Sequence, residues 1–329
     1  MTKHIFLPNI DLDTLEIVDP YNSWLSDWLE KIEENIESCN IASSICLQAI
    51  LVEKVLHKTL KHQWLEIFED CLTGSDGKPL AYSEFYGKRL HKYDQQWDQT
   101  PVHSIYTLWW VQNLVNDQAD HQLTQLIEDN IQRNGWIYNL NVSETKHLRR
   151  MKSEYQMSMA MGTEILGCAG LLNTYKEKFQ SVISNEECSP YLSAEYFRLR
   201  ALENLKAPHL APEDLCGIIE PSQAGEGYCD YSMKDKRDDY MGTAKRSSSD
   251  EAVHSPLATL HALYISSYCE EKIYNQVFSK TKIFANHLNK NPLDIPAFKV
   301  RDLVEIPFGT GISPLESIAA SYIITNFNQ

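Results

Sequence analysis

Asp235, Asp238 and Asp239, gathered in the run Asp235-Lys236-Arg237-Asp238-Asp239, are the side chains of this 329-residue chain best suited to acid or metal chemistry. Carboxylates held close together raise one another's proton affinity, so one of them can stay protonated and donate. The same oxygens suit Mg²⁺, which keeps several waters and shares itself with phosphate oxygens, so Asp238 and Asp239 are also candidate metal ligands. Lys236 and Arg237 stand between the acids, and a run of mixed charge is equally the mark of a solvated loop.

Cys229, Asp230, His254 and His261 bring zinc-type donors into one region, although their spacing matches no usual ligand pattern. His261 falls on an apolar helix, where a histidine is commonly a satisfied core residue. Tyr106, Trp109, Trp110, Trp136 and Tyr155 are candidates, with His261, for the wall of a substrate cavity. Aromatic faces stabilise cations and stack on sugar rings, and at helical spacing they also simply fill a core. The basic run His147-Leu148-Arg149-Arg150-Met151-Lys152 precedes a helix start at Ser153, a place where anions bind.

The balance of charge narrows the partners. Lys and Arg total 30 against 45 Asp and Glu, a formal net charge of −15. That argues against a nucleic-acid backbone or an anionic membrane as the main partner. No apolar run approaches the roughly 18 residues of a membrane span. The eight cysteines include no Cys-x-x-Cys pair, so a reduced cytoplasmic protein with packing thiols is expected.

Helices must carry these groups. The spacing of apolar residues predicts amphipathic or apolar helices over 22–36, 41–60, 64–72, 121–133, 153–175, 192–205, 212–219, 256–273, 274–288 and 314–327. Asn22-Ser23 is the expected cap of the first. One polar stretch, 220–254, is expected to be a long loop within a single domain spanning 1–329, and it holds the acidic run.

A repeated opening organises the pattern. Ser255-Pro256-Leu257-Ala258-Thr259 has counterparts in Thr100-Pro101-Val102-His103-Ser104, Ser313-Pro314-Leu315-Glu316-Ser317 and, more loosely, Ser189-Pro190-Tyr191-Leu192-Ser193. In each, a hydroxyl caps the helix, proline takes the first helical position where no N–H is needed, and a Ser or Thr recurs four residues after the cap. That recurring hydroxyl is placed to bond back to the preceding turn. Apolar helices with this opening, alternating with amphipathic ones and glycine-aromatic loops, predict an all-α fold of stacked helical hairpins. A closed ring of about five to six hairpins, an α/α toroid, leaves no end repeat to cap.

These openings, with the loops Gly135-Trp136-Ile137-Tyr138 and Gly227-Tyr228-Cys229-Asp230, resemble the α/α-toroid proteins, which include squalene-cyclase-type terpenoid cyclases and protein prenyltransferase β-subunits. The resemblance runs from about Tyr82 to the C-terminus at superfamily level. It implies a central cavity reached from the N-terminal ends of the inner helices. Those cyclases that protonate a double bond use Asp-x-Asp-Asp, whereas this chain has Asp-x-x-Asp-Asp. Class I terpene synthases, a different helical fold, use Asp-Asp-x-x-Asp, which Asn116-Asp117-Gln118-Ala119-Asp120 loosely resembles, and Arg198 and Arg200 are placed to sense a diphosphate.

The expected function is a terpenoid-cyclase-like lyase or isomerase acting on an apolar isoprenoid, with Mg²⁺ as the implied cofactor. Two alternatives stand beside it. One is a carbohydrate-active α/α-barrel pairing Asp238 or Asp239 with Glu154 as acid and base. The other is a non-enzymatic toroid in which the 220–254 stretch binds a partner.

Overall fold

The computed structural model describes residues 4–34, 43–58, 110, 159–167, 170–174, 176–177, 192–207, 212–229, 254–295 and 314–328. In chain order these hold α1 (Tyr21–Glu34), α2 (Ser43–Val55), α3 (Leu192–Leu205), α4 (Pro212–Ile219), a short 3-10 turn, β1 (Gln223–Ala224), β2 (Gly227–Tyr228), α5 (Pro256–Ser266), α6 (Glu271–Lys290) and α7 (Pro314–Phe327). Residues 159–167 are also helical. Among the described residues the only sheet is the antiparallel β1-β2 pair, and those residues are mostly helical, as expected for an all-α class. It divides into two compact units: Met1–Asp27 with Glu186–Leu199 and Pro208–Gln329, and Trp28–Asn185 with Arg200–Ala207.

In the first unit, burial follows hydrophobic pattern. Ten of the eleven residues of α5 are buried, as are eleven of the fourteen in α7. Helix α6, by contrast, buries only Val277, Thr281, Phe284, Ala285 and Leu288, one stripe at helical spacing. The three helices pack on one another. Their directions follow from their end contacts. The His254 ring, just before α5, lies 5.3 Å from that of His287 in the last turn of α6. Phe278, early in α6, lies 5.5 Å from Phe327 at the end of α7. Helix α6 is therefore antiparallel to both neighbours, and α5 and α7 run parallel.

The opening residues are not mere surface. Ile5, Leu7, Ile10, Leu12 and Leu15 are all buried although they form neither helix nor strand. The segment is tied down through its backbone: the Tyr196 hydroxyl donates to the Ile5 carbonyl at 2.6 Å, and His261 Nε2 lies 3.4 Å from the Phe6 carbonyl.

In the second unit, α2 and α3 end alike. His57 and Lys206 both take left-handed φ angles of 52°. Beyond them, Lys58 N–H donates to the Glu53 carbonyl and Ala207 N–H to that of Leu202, each at 2.9 Å. These are Schellman closures, which satisfy otherwise orphaned carbonyls. The same closure, with Leu171 N–H donating to the Leu166 carbonyl at 2.9 Å around Gly170, ends the helix expected to run on to residue 175.

Other boundaries also shift from the expected ones. Helix α1 starts at Tyr21, ahead of the Asn22-Ser23 cap, because the Tyr21 ring is buried and its hydroxyl donates to the Pro292 carbonyl at 2.7 Å. The break between α5 and α6 falls at Ser267–Glu270 and not at 273. There Ser266 and Ser267 turn their hydroxyls back onto the Leu263 and Tyr264 carbonyls at 2.8 and 2.7 Å, offering those carbonyls an alternative to helix continuation. Part of the expected 220–254 loop is ordered structure, since the 3-10 turn and β hairpin occupy 220–228. No helix among the described residues is long and apolar enough to cross a membrane.

Candidate functional site

The first turn of α5 draws hydrogen bonds from three elements. Ser255, in extended conformation, accepts a hydrogen bond from Ala258 N–H at 3.0 Å, the cap its sequence predicts. Four residues on, Thr259 Oγ1 donates back to the Ser255 carbonyl at 2.8 Å and accepts from Tyr228 N–H at 3.1 Å. Glu316, at the third position of α7, reaches across to the same turn. Its carboxyl accepts from the Ser255 hydroxyl at 2.7 Å and from Leu257 N–H at 3.0 Å. It is fully enclosed, and burial raises its pKa above the ordinary carboxyl value against the opposing pull of the Leu257 and Ser255 bonds.

Beside this turn lies a polar cluster. His254 immediately precedes the cap, His287 stands in the last turn of α6, and Asp294 follows that helix. Asp294 Oδ2 is 2.5 Å from His287 Nε2 and 3.4 Å from His254 Nε2. His254 Nε2 also lies 2.9 Å from the Asp294 carbonyl. The turn that presents Asp294 is built locally: Asn291 N–H donates to the His287 carbonyl at 2.8 Å, and Asp294 N–H to that of Asn291 at 2.9 Å. Tyr21 pins it through the Pro292 carbonyl, and burial, with the charge of Asp294, holds the Tyr21 phenol above its usual range. Ligand atoms of His254, His287 and Asp294 lie within 4.8 Å of one another, so this set can hold a metal ion.

The β hairpin closes over the same place. Gly225 has φ +47°, and a side chain there would lie 2.8 Å from His254 Nδ1. A Cβ on Gly227 would lie 2.8 Å from Thr259 Oγ1 and 3.1 Å from the Phe284 ring. Glycine is what lets the strand approach both helices this closely.

His261 lies elsewhere in this unit, 1% exposed, stacked on Tyr196 at 4.3 Å and beside Phe197, while Tyr264 stands edge-on to Tyr196. Burial pushes its pKa down to about 3, opposed by the Phe6 carbonyl, so the ring is neutral near pH 7. Trp110, in the other unit, is helical and buried. Arg198 is buried against Glu195 in an ion pair within α3, and Arg200 pairs with Glu203 at 3.3 Å. Asp235, Asp238, Asp239, Tyr106, Trp109, Trp136 and Tyr155 lie outside the described residues, as do Asp117, Asp120, Asp230 and Glu154.

His287, Asp294 and Glu316 are not among the site residues that the sequence singles out. Ser313-Pro314-Leu315-Glu316 has the Ser-x-x-Glu spacing of a capping box, which points to the start of its own helix. In the structure the carboxyl bonds the neighbouring one. No protein-family model, curated protein or solved structure matches the chain.

Proposed function

We propose that this chain is an α/α-toroid enzyme that handles an isoprenoid substrate. The observation that carries the proposal is the arrangement of α5, α6 and α7. Two buried, proline-opened helices run parallel, joined at their N-termini by Glu316, and an antiparallel amphipathic helix packs against both. Inner and outer helices of a toroid alternate in this way. In sequence, the acidic run ends sixteen residues before Ser255, the cap of one of these helices. In this reading Asp238 and Asp239 hold Mg²⁺ against a prenyl diphosphate or protonate a double bond, with Asp235 beside them. The step from fold to substrate is an analogy between folds.

Farnesyl and geranylgeranyl diphosphate, each incubated with the full chain and Mg²⁺, test it. The expected result is diphosphate release or a cyclised hydrocarbon, reduced about 10²-fold or more in Asp238→Asn or Asp239→Asn with helicity unchanged. A folded wild-type chain that turns over neither substrate removes the reading.

A further inference from the structure

We propose that His254, His287 and Asp294 form a binding site for a divalent cation of the zinc class. The cluster brings together two imidazole nitrogens and one carboxylate oxygen, and such a mixed N/O set selects Zn²⁺ and its transition-metal neighbours over Mg²⁺ or Ca²⁺, which prefer all-oxygen shells. Three protein ligands with a remaining open position is the pattern of a zinc site that keeps a water. Exposure fits that arrangement: the His254 side chain is 9% exposed, while those of His287 and Asp294 are each 25% exposed, so the site opens to solvent on one side.

The three residues come from places that the fold holds rigidly. His254 is fixed by the α5 cap beside it and by the edge of Phe284, 4.8 Å away. His287 belongs to the last turn of α6, and Asp294 sits in a turn anchored by Tyr21. The 3.4 Å separation of His254 Nε2 and Asp294 Oδ2 already suits two ligands about 2.0–2.2 Å from one metal. His287 Nε2, now 2.5 Å from the same oxygen, must swing out by about 1 Å to join a tetrahedral shell. Its partial exposure leaves room for that. Ligation through Nε2 requires the ring proton of each neutral imidazole to stand on Nδ1, and at His254 it exchanges the 2.9 Å contact with the Asp294 carbonyl for the metal. A cation here clamps the start of α5 to the end of α6.

Co²⁺ and Zn²⁺ are the probes. Chelator-treated full-length chain is titrated with Co²⁺, then with Zn²⁺ in competition. The expected result is one Co²⁺ per chain with the visible d–d band of a low-coordinate nitrogen-oxygen site, displaced by Zn²⁺. His287→Gln and Asp294→Asn each weaken binding at least about 10–100-fold, the loss seen even when outer-shell partners are removed. His287→Gln keeps an amide N–H for Asp294, so it provides a folded comparison, checked by circular dichroism, if Asp294→Asn does not fold. Three results overturn the site: no saturable Co²⁺ binding, equal binding by wild type and His287→Gln, or an intense near-ultraviolet thiolate band assigning the metal to cysteines. None of these depends on prenyl diphosphate turnover.

Discussion

Replacing Glu316 by Gln tests the junction between α5 and α7 by way of its pH dependence. Glu316 is completely enclosed, yet it accepts hydrogen bonds from Ser255 and Leu257. Two effects oppose one another. Burial favours the neutral acid, whereas the two donors favour the carboxylate, and burial is the larger, so the folded pKa lies above the ordinary 4.5. Gln fills almost the same volume and keeps one acceptor oxygen for Leu257, but it presents an NH₂ where the second oxygen stood. Ser255 Oγ already accepts from Ala258. Its own proton then loses its acceptor, and leaving a buried donor unsatisfied costs about 1–3 kcal/mol.

The sign of the pH dependence follows from the raised pKa. A carboxyl with a higher pKa in the folded state contributes stability that is complete below its unfolded pKa and is lost as pH rises through its folded pKa. The stability advantage of wild type over Glu316→Gln should therefore be greatest near pH 4.5 and shrink as pH rises, by at most about 1.4 kcal/mol per unit. Urea unfolding followed by tryptophan fluorescence at half-unit steps from about pH 4.5 to 8 gives the difference directly, because groups common to both proteins cancel. A difference that is flat or grows with pH would refute the reasoning. It would mean that the two donors outweigh burial and that Glu316 is a conventional charged cap.

His4 and His261 act in the opposite direction. Both are buried with pKa pushed down to about 3 from 6.5, so their contribution is present above pH 6.5 and is lost as pH falls towards 3, together by up to about 2.7 kcal/mol per unit. His261→Phe should remove about half of that slope between pH 6 and 4, read in the same urea titration, and an unchanged slope counts against a neutral buried ring. Gly227→Ala should cost about 1–3 kcal/mol by overpacking against Thr259 and Phe284; a urea midpoint equal to that of wild type would show that β2 gives way freely. Because Glu316 and Gly227 both bear on the first turn of α5, the double variant should depart from additivity by about 0.5 kcal/mol or more, and strict additivity would show the two contacts to be independent.

The sequence was most informative where structure is local. The Ser255-Pro256 opening carries both of its hydrogen bonds: the cap to Ala258 and the return from Thr259. Helices at 192–205, 212–219 and 314–327 have their expected bounds, since proline or a Schellman closure marks at least one end of each. Distant partners were not legible. Tyr21 begins its helix early because of a carbonyl 271 residues away, and no local pattern carries that information. Glu316 was not singled out for the related reason that its donors belong to another helix, which no local spacing records.

The His254-Ser255 dipeptide shows why the candidate site escaped pattern reading. Ser255 is bonded to α7 through Glu316 and to β2 through the Tyr228 carbonyl at 2.7 Å, while His254 reaches the end of α6 through Asp294. Each link crosses between elements. In sequence, His254 and Asp294 are forty residues apart, and zinc-type motifs are recognised by short spacings. What brings the donors together is the antiparallel packing of α5 and α6, which places the start of one helix beside the end of the other. Here the 11 residues of α5 and the 20 of α6 set His287, in the last turn of α6, beside His254. His residues at such a start and end are therefore a spacing rule of their own, set by helix length rather than by a motif.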